Sequence, residues 1–338
     1  MSAGIIIVLS ANAGFFPLDE ELGLEEGVHS PALQRDFVWV SSLVPYAQAS
    51  QVVARFGRQR VAANTLWRYT KRHGERLFEA EQARQAAAQM DASPPPRTAE
   101  ACQPKSLSMD GGMVHIRAEG WKEMKVASIG TVEPTTTSAQ PETELPSLVQ
   151  LTNVRYTAVL GEVGPFRQAV WTLVLDTHFA LTSFSSVVAD GAPWIWNIAA
   201  EVSPDSVQIV DFYHAAQHLS QAAHALFPSD PARATAWNDC MRDHLKLGQV
   251  WVIIQALNAA NLPDHAHYFI THQRRMAYQE FREDGFPIGS GAVESAVKQF
   301  KARLTGPGMS WSRPAAEQML VLRAALLSDT FDALWQAA

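Results

Sequence analysis

Three acidic residues stand where their side chains could hold divalent metal ions. Asp110 and Asp190 each precede a glycine and follow a short apolar segment typical of a strand, and Glu294 falls in the first turn of an amphipathic segment. Mg²⁺ and Mn²⁺ prefer oxygen ligands and keep several waters, so a few carboxylates can hold two ions. In such a pair, about 4 Å apart, one ion activates an attacking water or hydroxyl and the other stabilises the leaving oxygen of a phosphodiester.

Each of these residues also has an ordinary structural explanation. An aspartate before a glycine is a common turn signal. Lys298, one helical turn after Glu294, could simply form an ion pair with it. The metal hypothesis therefore requires that the three carboxylates converge in the fold.

The elements that would position these side chains change in type along the chain. Residues 110–112 are predicted as a turn, residues 130–147 as a loop and residues 212–282 as an almost entirely helical block. Strands are predicted at 106–109, 113–117, 124–129, 154–160, 169–175, 185–189 and 206–210.

The region before the strands reads as helical from residue 33 to 77, with a helix-turn-helix-like outline over residues 46–73 that breaks at Phe56 and Gly57. Its second half is rich in Lys and Arg, which suits a helix laid along DNA or, equally, a solvated face of an ordinary helical pair. A solvated helix over residues 79–90 and a proline-rich linker over 91–104 follow. The candidate DNA-binding residues here are Arg58, Arg60, Arg68, Lys71 and Arg72.

Composition limits the class of protein. The 338 residues are 47% hydrophobic, which is enough for a substantial core. Two cysteines, Cys102 and Cys240, are too few for a disulfide framework and indicate a cytoplasmic protein. The apolar run near the start is only five residues long with no basic residue before it, and no stretch approaches the roughly eighteen apolar residues of a membrane span. A net charge of −7 disfavours DNA binding overall, but bound cations reverse the charge locally.

From residue 14 to 338 the chain resembles bacterial insertion-sequence transposases of the ISKra type, in the Mutator-like group of DDE enzymes. The stretches that carry the resemblance are Gly14-Phe15-Phe16-Pro17-Leu18-Asp19, Asp110-Gly111-Gly112-Met113-Val114, Asp190-Gly191-Ala192-Pro193-Trp194, Asp211-Phe212-Tyr213-His214, Gly289-Ser290-Gly291-Ala292-Val293-Glu294 and Gly308-Met309-Ser310-Trp311-Ser312.

The resemblance implies an α/β fold with an RNase H-like mixed sheet flanked by helices. Asp110 would lie on its first strand, Asp190 on its fourth, and Glu294 on a helix after an all-helical insertion; intervals of 80 and 104 residues leave room for this. The expected organisation is an N-terminal remnant (1–30), a helical DNA-binding domain (31–90), the linker (91–104), the first part of the core (105–211), the insertion (212–285) and the last part of the core (286–338).

The resemblance further implies metal-dependent cleavage and strand transfer of DNA. Asp110, Asp190 and Glu294 would be the catalytic residues and the ligands of two Mg²⁺ or Mn²⁺ ions. Transposon ends and target DNA would be the partners of a homo-oligomer. Two alternatives stay open: an RNase H-like nuclease without strand transfer, and a non-catalytic DNA-binding relic.

Other residues are expected close to the site. Asp211 and His214 match a family signature of Cys or Asp, two residues and His, and Gly191 and Trp311 are also expected near the carboxylates. His214 and His218 lie four apart and could be a zinc pair, but no further ligand spacing supports one. Lys298, Lys301 and Arg303 are candidates for phosphate contacts.

One departure from the family concerns the beginning of the chain. Relatives carry a cysteine zinc ribbon upstream of the Gly14–Asp19 stretch, and residues 1–13 contain no cysteine. We therefore expect a copy that is truncated or that starts within an altered reading frame, in which the catalytic core survives while end recognition or assembly fails.

Overall fold

The computed structural model describes residues 29–88, 103–135, 149–182 and 184–338, together with the backbone of residues 6–7 and 14–15. The latter form two short antiparallel strands, β1 (Ile6–Ile7) and β2 (Gly14–Phe15). The predictions for the N-terminal remnant up to residue 28, apart from these two strands, for residues 89–90 of the helix predicted over 79–90, for linker residues 91–102 and for loop residues 136–147 lie outside the described residues.

A mixed five-stranded sheet forms the centre of the molecule. Its strands are β3 (Lys105–Ile116), β4 (Gly120–Pro134), β5 (Val149–Leu160), β6 (Ser185–Ala189) and β7 (Val207–Val210). They are arranged in the order β5-β4-β3-β6-β7. The pairs β5–β4 and β4–β3 are antiparallel, whereas β3–β6 and β6–β7 are parallel. The expectation of an α/β protein built on a mixed sheet with flanking helices is confirmed.

The turn predicted at residues 110–112 is wrong. Asp110 lies inside β3, paired with Val126, and the hairpin instead turns at residues 117–119. The physical reason is the close approach of a helix. A Cβ atom added to Gly112 would lie 3.1 Å from Cγ1 of Val297, so this glycine makes room for a neighbour rather than for a turn.

Two further local predictions fail. Residues 169–175, predicted as a strand, belong to helix α4 (Val163–Asp176), because their apolar run continues a helical stripe that buries Phe166, Val170 and Val174. Residues 130–134, predicted as the start of a loop, complete β4.

Three helices precede the sheet: α1 (Pro31–Leu43), α2 (Tyr46–Phe56) and α3 (Ala63–Ala87). The helical prediction is confirmed, but α3 begins six residues later than expected. Arg58 and Arg60 consequently lie in the connection, and Arg58 has a positive φ of 53°. Residues 79–87 of the helix predicted over 79–90 are the continuation of α3.

The helical block after the sheet is also confirmed. α5 (Pro193–Val202) separates β6 from β7. The block itself contains α6 (Phe212–Leu226), α7 (Pro231–Lys246), α8 (Val250–Ala259), α9 (Pro263–His272) and α10 (Tyr278–Glu283). The chain continues through α11 (Gly291–Leu304), α12 (Arg313–Leu327) and α13 (Phe331–Ala337).

Two apolar cores cover opposite faces of the sheet. Leu107 and Met109 point into the core shared with α4, α5 and α6. Val114 and Ile116 point into the other, which includes α11, α12 and the N-terminal helices. Since side chains alternate along a strand, Asp110 shares the face of Val114 and is directed to the side of α11. Within the described part of the chain, no helix has the length and apolarity needed to cross a membrane.

Candidate functional site

Two of the three predicted carboxylates are neighbours on the sheet. β3 and β6 run parallel with Ser108 opposite Val188. Asp110 and Asp190 each lie two residues further on, Asp110 within β3 and Asp190 directly after β6. The carboxyl ends of parallel strands are where α/β sheets open a binding crevice, so these two side chains occupy a position suited to a site.

Glu294 reaches the same position from above the sheet. It lies in the first turn of α11, which packs across β3 where Gly112 permits close approach. This is the face to which Asp110 is directed. Two strands and one helix, distant in sequence, thus bring three half-buried carboxylates to one place.

Burial and neighbouring charges both shift the pKa of Asp110. Burial is the main cause that raises the pKa of Asp110, and the negative charges of Asp190 and Glu294 raise it further. A hydrogen bond from the Gly111 main-chain N–H and the nearby ring of His214 act in the opposite direction. The site therefore concentrates negative charge in a partly desolvated place, with one imidazole at its border.

Local hydrogen bonds orient the two aspartates. Oδ1 of Asp110 accepts from the main-chain N–H of Gly111 at 2.7 Å, and Oδ1 of Asp190 accepts from that of Ala192 at 2.9 Å. Nζ of the exposed Lys298, one helical turn later, lies 3.9 Å from Oε2 of the half-buried Glu294. As they stand, no three His, Cys, Asp or Glu side chains in the described residues are grouped tightly enough to hold one ion.

Asp211 is fully buried at the end of β7 and connects two helices. Its Oδ1 accepts from the main-chain N–H of His214 at 2.9 Å and so caps α6. Its Oδ2 accepts from both the main-chain N–H and the hydroxyl of Ser290, at 2.5 and 2.8 Å. Sequence reasoning assigned no role to Ser290, although its place before Gly291, at the start of a helix, was a signal for one.

Three ring side chains of the helical block, Tyr268, His218 and His272, pack together beside Asp190 and form what we call the aromatic wall. The hydroxyl of Tyr268 donates to the main-chain oxygen of Asp190 at 3.3 Å. The ring of His218 stacks on Tyr268 with centroids 3.7 Å apart, so His218 has a packing role that differs from the zinc alternative. His272 is also part of the wall, and its four-residue spacing from Tyr268 was the signal that sequence reasoning missed.

Gly191 follows Asp190 in a conformation reserved for glycine. Its φ is +109°, and an added Cβ would lie 3.0 Å from Nε2 of His272. Burial, and secondly the charge of Arg275, lower the pKa of His272 to about 4. The turn after β6 is thus packed against a neutral imidazole at physiological pH.

Trp311 does not lie near the carboxylates, which corrects the sequence prediction. Its main-chain N–H donates to the oxygen of His115, and it forms an isolated bridge with Ile116. Ile116 is six residues beyond Asp110 on the same strand, a distance of about 20 Å. Trp311 is a buried residue that closes the far end of β3.

Arg303 is also not the phosphate contact that was predicted. It is only 2% exposed, and its Nε donates to the main-chain oxygen of Ser41 at 2.8 Å. A phosphate cannot reach this guanidinium. The other predicted contacts are exposed: Arg58, Arg60, Arg68, Lys71, Arg72, Lys298 and Lys301.

Comparison of the chain with models of protein families gave no match, and comparison with curated proteins gave none either.

Proposed function

We propose that this chain is a DDE transposase of the ISKra type that cleaves and joins DNA with the help of two divalent cations. The observation that carries the proposal is geometric: the parallel pairing of β3 and β6 places Asp110 beside Asp190, and α11 brings Glu294 to the same face of β3. Burial raises the pKa of Asp110, and the charges of Asp190 and Glu294 raise it further. Three carboxylates placed together repel one another, and residues needed only for turns and ion pairs would not have to be adjacent. Such a cluster is typical of a functional site.

The order of the elements supports an RNase H-like core. Counting only the strands of the five-stranded sheet, Asp110 lies on the first and Asp190 follows the fourth. Glu294 lies on the first long helix after the helical block. This is the arrangement that the family resemblance implies for the three acidic residues.

The donor set fits hard cations. Three half-buried carboxylates offer only oxygen atoms, which Mg²⁺ and Mn²⁺ prefer, and a divalent cation would offset their mutual repulsion. Asp110, Asp190 and Glu294 would hold the ions. When bound, the ions would supply activation of the attacking oxygen and stabilisation of the leaving oxygen.

The protein's own contribution is orientation and exclusion of water. Main-chain N–H groups of Gly111 and Ala192 fix the two aspartates, so neither must reorganise during the reaction. The wall formed by Tyr268 and His272 shields the Asp190 turn on the side of the helical block. Such preorganisation is what positions a scissile phosphate for in-line attack.

A basic surface at the junction of α2 and α3 supports DNA as the substrate. Arg58, Arg60, Arg68 and Lys71 are exposed there. The same junction exposes Phe56 to 82% and Trp67 to 43%, and Nζ of Lys71 lies 6.0 Å from the Trp67 ring. Basic and aromatic side chains together can bind a phosphate backbone although the whole chain is acidic.

The decisive experiment measures cleavage and strand transfer on a plasmid that carries the DNA flanking the chain's own reading frame. With Mg²⁺ or Mn²⁺, the wild type should nick this DNA and join the released 3′ ends to a target. Asp190→Asn should lower both rates by on the order of 10²- to 10³-fold or more. Asp239→Asn, at an exposed position on α7, is the matched control and should retain the wild-type rates.

Each alternative gives a different result in this assay. Cleavage without joined products would identify a nuclease without strand transfer. DNA binding without metal-dependent cleavage by the folded wild type would identify a non-catalytic relic and refute the proposal.

A further inference from the structure

The start of α11 is held by a carboxylate that the proposed chemistry does not use. Asp211 is 0% exposed, and its carboxyl group lies between the beginnings of two helices. One oxygen caps α6 and the other accepts two hydrogen bonds from Ser290, the residue before α11. A buried carboxylate is tolerated only when such donors surround it, and the dipoles of both helices favour a negative charge at this point.

The hydrogen bonds of Asp211 lead directly to Glu294. The hydroxyl of Ser290 lies 3.5 Å from Oε1 of Glu294, and the main-chain oxygen of Ser290 accepts from the N–H of Glu294 at 3.2 Å. Glu294 is thus one helical turn from the anchored residue. Any movement of the Ser290 end of α11 displaces Glu294.

The same position is tied to the sheet through the backbone. The N–H of Asp211 donates to the oxygen of Ala189, which precedes Asp190, at 2.8 Å. The N–H of Phe212 donates to the oxygen of Ile288 at 2.9 Å. Asp211 therefore links the strand end that carries Asp190 to the helix that carries Glu294.

We propose that Asp211 is a positioning residue, which acts through Ser290 to set the position of Glu294 relative to Asp110 and Asp190. This inference rests on the proposed function, because it assumes that Glu294 is a metal ligand. Asp211 itself would not be a metal ligand, since its oxygens are engaged by His214 and Ser290. If the helix that carries a metal ligand can tilt, the site binds its metal more weakly. Hydrogen bonds that hold the first turn of α11 rigid would therefore strengthen metal binding.

Two variants test the anchor of α11, by which we mean the hydrogen bonds that Asp211 accepts from Ser290. In Asp211→Asn the oxygen can still cap α6, because Asn is a good N-cap, but the amide nitrogen cannot accept from Ser290. Ser290→Ala removes one of the two hydrogen bonds without changing any charge. The matched control is Asp230→Asn on α7, where Asp230 likewise caps its helix by accepting from the N–H of Arg233, at 3.0 Å.

Hydrogen–deuterium exchange of the metal-free protein tests the anchor independently of activity. Peptides covering residues 289–294 should exchange about tenfold faster in Asp211→Asn, and faster than wild type in Ser290→Ala. Asp230→Asn should leave these peptides unchanged. Wild-type exchange in both anchor variants would overturn the proposal.

Binding of Mn²⁺ alone, followed by electron paramagnetic resonance of the free ion, tests whether the anchor acts through Glu294. Asp211→Asn should weaken Mn²⁺ affinity about tenfold in the wild-type background but less than twofold when Glu294→Gln is already present. Ser290→Ala should show the same pattern on a smaller scale. Equal losses in both backgrounds would mean that Asp211 acts on the metal directly, and this would overturn a positioning role.

The two hypotheses fail in different ways. If the wild type binds Mn²⁺ and cuts DNA but both anchor variants bind the ion normally, the positioning role is refuted and the proposed function stands. If the wild type neither binds Mn²⁺ nor cuts DNA, the proposed function fails and Glu294 is no ligand to position. Should Asp211→Asn not fold, Ser290→Ala gives the same decision.

Discussion

Arg303 donates a hydrogen bond from Nε to the main-chain oxygen of Ser41, 2.8 Å away, and so joins α11 to the end of α1. Its guanidinium also lies against two rings, with its carbon 4.9 Å from the centroid of Tyr46 and 5.1 Å from that of Trp311. Arg323 of α12 donates to the neighbouring oxygen of Ser42. The helix that carries Glu294 is therefore fixed to the N-terminal helices as well as to the sheet.

We expect Arg303→Ala to destabilise the protein by about 3 kcal/mol, because it leaves a cavity and an unsatisfied carbonyl. The free energy of unfolding in urea measures this. Lys301→Ala, two residues away and exposed, should change it by less than about 0.5 kcal/mol. Equal unfolding midpoints for the two variants would contradict the buried role of Arg303.

Replacement of Asp110 by Asn should stabilise the metal-free protein at neutral pH. Burial and the charges of Asp190 and Glu294 raise the pKa of Asp110, so its ionised form is disfavoured in the folded state. Removing the charge should therefore add about 0.5–2 kcal/mol to the free energy of unfolding. Thermal unfolding without metal measures this.

The metal response provides the control for Asp110→Asn. Mn²⁺ should raise the melting temperature of the wild type by mass action and should raise that of the variant much less. A variant that is less stable than the wild type without metal would contradict the prediction, because it would show that repulsion among the three carboxylates does not destabilise the folded protein.

The stability contributed by His73 should be lost in acid. Burial, followed by the charges of Arg72 and Arg76, lowers the pKa of His73 to about 4 from an ordinary value of 6.5. The unfolded chain therefore binds a proton first, and the free energy of unfolding falls as the pH drops from 6.5 to 4. The contribution is complete above pH 6.5.

The test compares wild type with His73→Gln across this pH window. His73 is half-buried, so after allowance for solvent screening the difference in pH dependence should be about 1 kcal/mol. The variant should show the shallower decline. Parallel curves for the two proteins would show that His73 titrates normally in the folded state.

The strand that ends before Asp190 and the helix of Glu294 could be predicted from local patterns. A short β-branched run before Asp-Gly predicted residues 185–189, and the structure has Ser185–Ala189. An apolar stripe at helical spacing predicted the helix that the structure places at Gly291–Leu304. Both signals are local, because burial of one face of a strand or helix leaves its period in the sequence.

The predictions that failed concern residues whose contacts in the fold are distant in sequence. Gly112 looked like a turn residue because the local pattern does not contain Val297, the side chain for which it makes room. Arg303 looked like a surface charge because Ser41, its hydrogen-bond partner, is more than 250 residues away. Asp211 was found by resemblance, but its link to Ser290 required the assembled fold.

Gly191→Ala should destabilise the protein by about 1–3 kcal/mol. The φ of +109° is strained for any side chain, and the new Cβ would approach Nε2 of His272 to 3.0 Å. Gly164→Ala in α4 is the matched control, because nothing lies within 4 Å of its added Cβ and alanine favours helix. Urea unfolding should separate the two; a neutral Gly191→Ala would show that the turn after β6 relaxes without penalty.

Arg68 and Lys71 should contribute to DNA binding through the phosphate backbone. Both are exposed on α3, and each contact to a phosphate releases about one condensed counterion when it forms. Alanine at either position should weaken binding of a random duplex and reduce the slope of log affinity against log salt concentration by about 1. Arg167→Ala, which removes an exposed arginine that is paired with Glu201 on the opposite side of the sheet from α11, should leave the slope unchanged. An identical slope in all three variants would place the DNA elsewhere on the molecule.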